Sequence, residues 1–501
     1  MKQTLRPLMF VGTGSDVGKS VIATAFCRIF RQDGYTPAPF KAQNMSLNSY
    51  ATPDGLEIGR AQAVQAEAAG VPCHTDMNPI LLKPQSDHAS QVVLNGRPSG
   101  NQSAGSYFRR EGREELRQAC HEAFNRLAAR YNPIVLEGAG SISELNLRDV
   151  DLVNMSMARH AGAAVILVAD IDRGGVFAAV YGSIMLLPPE ERRLIKGIII
   201  NKFRGDISLF RDGVRIIEEL CHVPVLGVLP YFTDIHIEEE DSMSLAQKDM
   251  QALQGKVNVV VVLLRHMSNF TDFDVLERDP RVHLYYSSNP ADLADADVVI
   301  LPGSKSTIDD LYHLRRSGMA EAVICARRRG ATVLGICGGY QMMGREVCDP
   351  QQVEGDVPRM PGLGLLPVTT TMNGSKRTRQ ACGRFIPADP FADPDLGSLR
   401  GYEIHMGTTV PLGEPSPLLL LDDGTADGYF ADAHCMGTYV HGILDNQPFI
   451  DYLLQPFADK LQASTTFDYA AYKQQQYDLL ADHVRRHVNV DAVYQILKET
   501  T

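Results

Sequence analysis

The chain has no excess of positive charge, no long apolar run and no paired cysteines. Its 501 residues carry 48 Lys and Arg against 60 Asp and Glu, a formal net charge of -12. That balance argues against a nucleic-acid or anionic-membrane partner, so any phosphate site must be local. No apolar stretch approaches the roughly 20 residues of a membrane span, and the opening MKQTLRPLMF lacks the pattern of a secretory leader. A cytoplasmic protein is the expectation. The nine cysteines are odd in number and contain no Cys-x-x-Cys, which suits reduced thiols better than a disulfide framework or a zinc site. His-Glu-x-x-His is absent, as is any repeat of fixed period. Small molecules remain as partners, and nothing in the sequence sets an oligomeric state.

What is present is an ordinary globular composition, 44% hydrophobic and 22% charged, in a chain too long for one core. The most informative stretch is Gly12-Thr-Gly-Ser-Asp-Val-Gly-Lys-Ser20. An apolar strand, Leu8 to Val11, precedes it, and a helix with one apolar face, Val21 to Phe30, follows. Strand, glycine loop, Gly-Lys-Ser and helix together define a phosphate site, because loop N–H groups and the helix N-terminus hold anionic oxygens. Gly12, Thr13, Gly14, Val17 and Gly18 would frame the phosphates of ATP, with Lys19 reaching the β- and γ-phosphates and Ser20 ligating Mg²⁺. Counted back from Gly18, the usual first glycine is Thr13, so the loop is one residue longer if it starts at Gly12.

Downstream, polar groups recur where apolar strands stop. Lys41, Gln43 and Asn44 follow the short strand Thr36 to Lys41 and are candidates for contacts to nucleotide or substrate. Residues 57–70 and 110–130 read as helices, and 78–84 as a loop with a buried segment. Pro133 to Glu137 ends in a carboxylate before Gly-Ala-Gly, and Glu137 is the candidate second Mg²⁺ ligand. Ala163 to Ala169 ends in Asp170-Ile-Asp172-Arg-Gly-Gly, making Asp172 a further candidate. Gly197 to Ile200 runs into Asn201-Lys202, a pair placed to flank a purine base. Continuously apolar strands alternating with helices predict a parallel sheet covered on both faces. The first domain is expected over residues 1–235, a charged linker over 236–256, and a second domain over 257–501.

In the second half, strands at 257–264 and 297–303 precede Ala331-Thr-Val-Leu-Gly-Ile-Cys337-Gly-Gly-Tyr-Gln. A strand leading into Gly-x-Cys-x-Gly and then a helix is the nucleophile-elbow pattern with Cys in place of Ser. The helix N-terminus favours negative charge on the sulfur. Backbone N–H groups at Gly338 and near Gly303 are the expected oxyanion hole. A Cys nucleophile needs a His base. His441, at the end of a short β-run, and His405 are the candidates.

These residues resemble known families. Gly335-Ile-Cys-Gly-Gly-Tyr-Gln341 and Thr438-Tyr-Val-His441-Gly resemble the nucleophile and histidine segments of class I glutamine amidotransferases. Many members carry an orienting Glu two residues after the His, where this chain has Ile443. A dyad or another orienting group is therefore implied. The first half is similar to the dethiobiotin synthetase type of ATP-dependent ligase, through its lengthened loop and Glu-Gly-Ala-Gly turn. Both halves in this order, with Phe40-Lys-Ala-Gln-Asn-Met-Ser46, Asp170 to Phe177, Asn201 to Asp206, Pro302 to Thr307 and Tyr402 to Gly407, resemble the cobyric acid synthases of cobalamin biosynthesis. The resemblance implies an α/β fold with a P-loop-type parallel-sheet domain and an amidotransferase-like α/β domain. It also implies that L-glutamine and a corrinoid a,c-diamide are the substrates and that the b, d, e and g carboxylates are amidated. The cobyrinic acid a,c-diamide synthases share the architecture but fit the Lys41 loop less well. A phosphate-loop switch ATPase carrying an inert glutaminase-like domain is the rival of another class.

Overall fold

The computed structural model describes residues 3–86, 89–103, 113–238, 252–253, 256–386, 397–461 and 467–499. The chain forms two compact units.

The first unit is built on a six-stranded sheet: β1 (Leu8–Gly12), β2 (Ala38–Phe40), β3 (Ile134–Glu137), β4 (Ala164–Asp170), β5 (Ile195–Phe203) and β6 (Val225–Pro230), in the order β6-β5-β4-β1-β3-β2. Every pairing is parallel. β1, β3 and β4 are buried along their whole length, which is why they read as unbroken apolar runs. Register places Phe10 beside Glu137, Gly12 beside Val168, and Asp170 beside Asn201. The polar strand ends therefore share one edge. Helix α1 (Lys19–Gln32) buries Ile22, Phe26, Ile29 and Phe30 in the core cluster that also contains Phe10.

Some local expectations shift. Residues 57–59 are a strand and only Arg60–Ala69 (α2) is helical. The segment read as a loop at 78–84 contains a strand, Ile80–Ser86, in a four-stranded sheet with Gln43–Met45, Ala89–Leu94 and Arg97–Ser103. The helix expected over 110–130 spans Arg113–Ala128. Most of the expected linker, 239–251 and 254–255, lies outside the described residues.

The units do not follow chain order as a boundary at 235–257 requires. Residues 471–501 belong to the first unit, and residues 47–57 to the second. The terminal helices Tyr469–His487 and Val490–Lys498 supply Leu480, Val484, Val493 and Leu497 to the α1 core. Charged pairs Arg28–Asp478 and Arg485–Asp33, both 2.7 Å, border that packing.

The second unit has its own six-stranded sheet: β7 (Val257–Val262), β8 (Val282–Ser287), β9 (Val298–Leu301), β10 (Thr332–Ile336), β11 (Tyr429–Asp432) and β12 (Cys435–Thr438), ordered β8-β7-β9-β10-β12-β11. Only the β11–β12 pairing is antiparallel. A long antiparallel pair, Val368–Phe385 with Ser398–Pro411, forms a separate sheet and places Tyr402 opposite His441. Among the described residues, no helix is long and apolar enough to cross a membrane.

Candidate active sites

In the first unit the phosphate loop joins β1 to α1. Gly18 has φ 95°, and a Cβ there would fall 2.2 Å from Asn201 Nδ2. Only glycine fits, on both counts. Asn201 Nδ2 donates to Val17 O at 2.9 Å, so Asn201 braces the loop from β5. A Cβ at Gly12 would meet Gly14 O at 2.7 Å and Lys19 Nζ at 2.9 Å. Lys19 Nζ donates to Gly14 O (2.9 Å) and to Gly140 O (3.0 Å), curled between the loop and the turn after β3.

Glu137 is the hub of this centre. Its Oε1 accepts from Ser20 Oγ (2.8 Å) and Lys41 Nζ (2.9 Å), and its Oε2 from Gln65 Nε2 (2.7 Å). Burial alone would raise its pKa. The Lys41 ammonium and the hydrogen bonds from Lys41, Gln65 and Ser20 overcome that, holding the carboxyl below its usual range. Ser20, Lys41 and Glu137, picked out separately from the sequence, are thus in contact. Gln65, on α2, was not foreseen. Its signal was weak, since it sits in an Ala- and Gln-rich helix without a motif.

Asn44 is buried and donates to Gln62 Oε1 at 3.2 Å. Gln43 is half-buried at the start of its strand and lines a cavity of about 430 Å³ with the turn Ala139–Ile142 and residues 147–156. Asp172 lies at the surface, paired with Arg204 at 2.8 Å. The buried carboxylate at this strand end is Asp170, with Lys202 Nζ at 3.0 Å.

In the second unit Cys337 follows β10 with φ 54° and ψ -109°, a strained conformation for a side chain. Its N–H donates to Thr438 O at 2.8 Å. The flanking glycines have steric reasons. A Cβ at Gly335 would meet Tyr340 backbone at 2.8 Å, and one at Gly339 would fall 1.9 Å from Leu301 O. Gly338 lies against Ser304, where an added Cβ would be 2.8 Å from Ser304 N. Gly303 lies beside His441, 3.1 Å from a built Cβ to Cε1. Asp310 secures this turn by accepting from Ser304 Oγ at 2.6 Å.

His441 is buried, and its Nδ1 is 2.7 Å from Asp272 Oδ2. Gly442 N donates to Asp272 Oδ1 at 3.1 Å. Nε2 makes no hydrogen bond to a described residue and stays available to the Cys337 sulfur. Burial works against a charged imidazole, but the Asp272 carboxylate and the Cys337 sulfur more than offset it, raising His441 to about 10. Asp272 is the orienting group absent at Ile443. It was missed because it lies 169 residues before the histidine, on a 3₁₀ turn, Phe270–Phe273, without a motif. His405 is held differently. It stacks on Tyr439 at 3.7 Å, and burial, Arg377 and His441 lower it to about 3. It stays neutral without a carboxylate partner, whereas His441 has one in Asp272.

Residues 8–245 match the family described as the CobQ/CobB/MinD/ParA nucleotide binding domain, and residues 258–449 the CobB/CobQ-like glutamine amidotransferase domain. A nucleotide-binding sheet and an amidotransferase elbow on one chain define a glutamine-dependent amidoligase. The cobyric acid synthase of Bacteroides fragilis is 70% identical over 501 residues, covering 100% of both chains. That of Phocaeicola vulgatus is 67% identical over 499 residues (99% of each), and that of Syntrophobacter fumaroxidans 49% over 512 residues (98% of each). The chain belongs to the cobyric acid synthase family. Among solved structures, PurLQS from Thermotoga maritima aligns at 19% identity with a TM-score of 0.33, covering 40% of this chain and 99% of that one.

Proposed function

We propose that the chain uses ATP and glutamine to amidate the b, d, e and g carboxylates of adenosylcobyrinic a,c-diamide, with one unit making ammonia and the other activating the carboxylate. The observation that carries the division of labour is the Cys337–His441–Asp272 arrangement, a complete hydrolytic centre that an inert glutaminase-like domain has no reason to keep.

Cys337 thiolate attacks the glutamine side-chain carbonyl. The oxyanion faces the backbone N–H groups at Gly338 and Gly303. His441 gives its proton to the departing nitrogen, the C–N bond breaks, and a glutamyl thioester remains. His441, now neutral, takes a proton from water. The hydroxide attacks the thioester, and glutamate leaves the sulfur. Asp272 keeps the imidazole's Nδ1 protonated and its Nε2 aimed at sulfur.

In the other unit the corrinoid carboxylate attacks the γ-phosphorus of ATP, and ADP leaves. Ammonia attacks the acyl phosphate, and phosphate leaves as the amide forms. Lys19 is placed to exchange its carbonyl partners for phosphate oxygens. Ser20 Oγ and Glu137 supply the hard oxygen donors Mg²⁺ prefers, and these residues would hold it beside the phosphates, where it would neutralise charge. Nine free cysteines fit a reducing cytoplasm.

The test is a Cys337→Ala variant assayed on a corrin a,c-diamide with ATP. Amide formation should be lost with glutamine and kept with free ammonia. Loss of both, in a folded protein, refutes the division of labour.

A further inference from the structure

We propose that Asn48 and Tyr50, on the short segment 47–57, position Asp272 and His441 for glutamine hydrolysis. The inference rests on the glutaminase reading above. It concerns residues that lie in the first half of the sequence and pack in the second unit.

Two lines of contact run from this segment to the catalytic histidine. The first is a reciprocal clasp. Asn48 Oδ1 accepts from Phe270 N at 3.1 Å, and Asn269 Oδ1 accepts from Ser49 N at 2.9 Å. Asn48, Ser49, Asn269 and Phe270 are all buried. Asn269 has φ 54°, a conformation Asn tolerates at modest cost, and it caps the 3₁₀ turn Phe270–Phe273 that carries Asp272. Asp272 N donates back to Asn269 O at 3.1 Å. The clasp thus fixes the first residue of the turn whose third residue holds His441 Nδ1.

The second line is a chain of ring contacts, tilted between Tyr50 and Tyr402 and stacked between Tyr402 and His441. Tyr50 lies 4.6 Å from Tyr402, and Tyr402 lies 5.3 Å from His441 with an interplanar angle of 21°. Tyr402 belongs to a small apolar cluster with Ala51 and Ile404, against which Tyr50 packs. Ile404 O accepts the Cys337 thiol at 3.6 Å. Lys376 pairs with Glu57, and Gln380 Nε2 donates to Ala51 O, so the rest of the segment is tied to the long hairpin as well.

Neither residue touches glutamine by this account. Both act by limiting where Asp272 and His441 can sit, and displacements near 1 Å at such a centre cost about 10²-fold in rate. The charged and titratable groups facing His441 are Asp272, Cys337, His405 and the phenol of Tyr402. Loosening the turn weakens only the first of these contacts.

The experiment measures glutamate release from glutamine by the full chain across pH. Asn48→Ala should lower kcat by about 10- to 100-fold with KM within about twofold. It should also move the alkaline limb of the profile to lower pH, because an imidazolium less well paired with Asp272 gives up its proton sooner. If Asn48→Ala does not fold, Tyr50→Leu carries the test, with the same direction in kcat and in the alkaline limb. Folded variants that keep the parental rate and limb overturn the proposal. A parent that releases no glutamate overturns the glutaminase reading along with it.

Discussion

Replacing Asp272 by Asn removes one charge from the glutaminase centre and little else. The amide is nearly isosteric and can still accept from Gly442 N, which is 3.1 Å from Oδ1. What changes is the partner of His441 Nδ1, now 2.7 Å from a carboxylate that is 4% exposed in its side chain. Burial disfavours the imidazolium, and Asp272 is the largest contribution opposing it, ahead of Cys337. The rise from 6.5 to about 10 corresponds to roughly 5 kcal/mol at about 1.4 kcal/mol per unit. If Asp272 supplies about half, the variant loses on the order of 2–3 kcal/mol, or about 100-fold in the ratio of charged to neutral imidazole. With the Asn oxygen on Gly442 N, the amide N–H₂ faces His441 Nδ1 and donates to it, favouring the wrong tautomer, which in hydrolytic triads costs up to about 10⁴. We expect kcat for glutamine hydrolysis to fall by about 10² to 10⁴, with ammonia-dependent amidation unchanged. Stability follows the same sign. The His441 pKa is raised on folding, so its contribution is full below 6.5 and is lost as pH rises through about 10. The excess stability of the parent over the variant should therefore shrink between those values. Glutamate release and urea melts at a series of pH values check both. A variant within threefold of the parent at every pH would refute the role given to Asp272.

Three further perturbations have definite outcomes. Lys41→Met leaves the buried Glu137 without its ion partner. It should cost about 3–5 kcal/mol at neutral pH and abolish ATP-dependent amidation. Because Lys41 holds Glu137 below 4.5, the parent's advantage is full above that value and is lost as pH falls through the lowered one, as acid melts of parent and variant would reveal. Gly18→Ala puts a Cβ 2.2 Å from Asn201 Nδ2 at φ 95°, so nucleotide affinity by calorimetric titration should drop at least about tenfold while glutaminase activity persists. Gly339→Ala drives a Cβ to 1.9 Å from Leu301 O. Backbone cannot yield there, and the variant should lose glutaminase activity and about 3 kcal/mol or more in denaturant titration.

Some of this was legible in the sequence because it is local. The phosphate loop and the elbow at Cys337 each depend on glycines within a few residues of the reacting group, and the collisions a Cβ would meet explain those glycines one by one. The central strands were legible because, buried on both faces, they carry no polar residue until they end. The long pair 368–385 and 398–411 went unread, since its two strands mix exposed and buried positions without strict alternation. Residues 47–57 carry no motif of their own in the sequence, yet their hydrogen bonds go to Asn269, Phe270 and Gln380.

By itself the sequence determined that a nucleotide loop and a cysteine elbow share one chain, along with the strands that carry them. It also supplied Lys19, Ser20, Glu137, Cys337 and His441 as the groups to examine. Tertiary structure alone decided which groups meet. Gln65 and Lys41 reach Glu137, Asp272 rather than residue 443 reaches His441, and the helices Tyr469–His487 and Val490–Lys498 return to cover α1. The reason is physical. Turn geometry and strand burial act between neighbours in the chain and leave a pattern there. Charge pairing across 96 or 169 residues is set by where the backbone brings two side chains, and no spacing in the sequence records it.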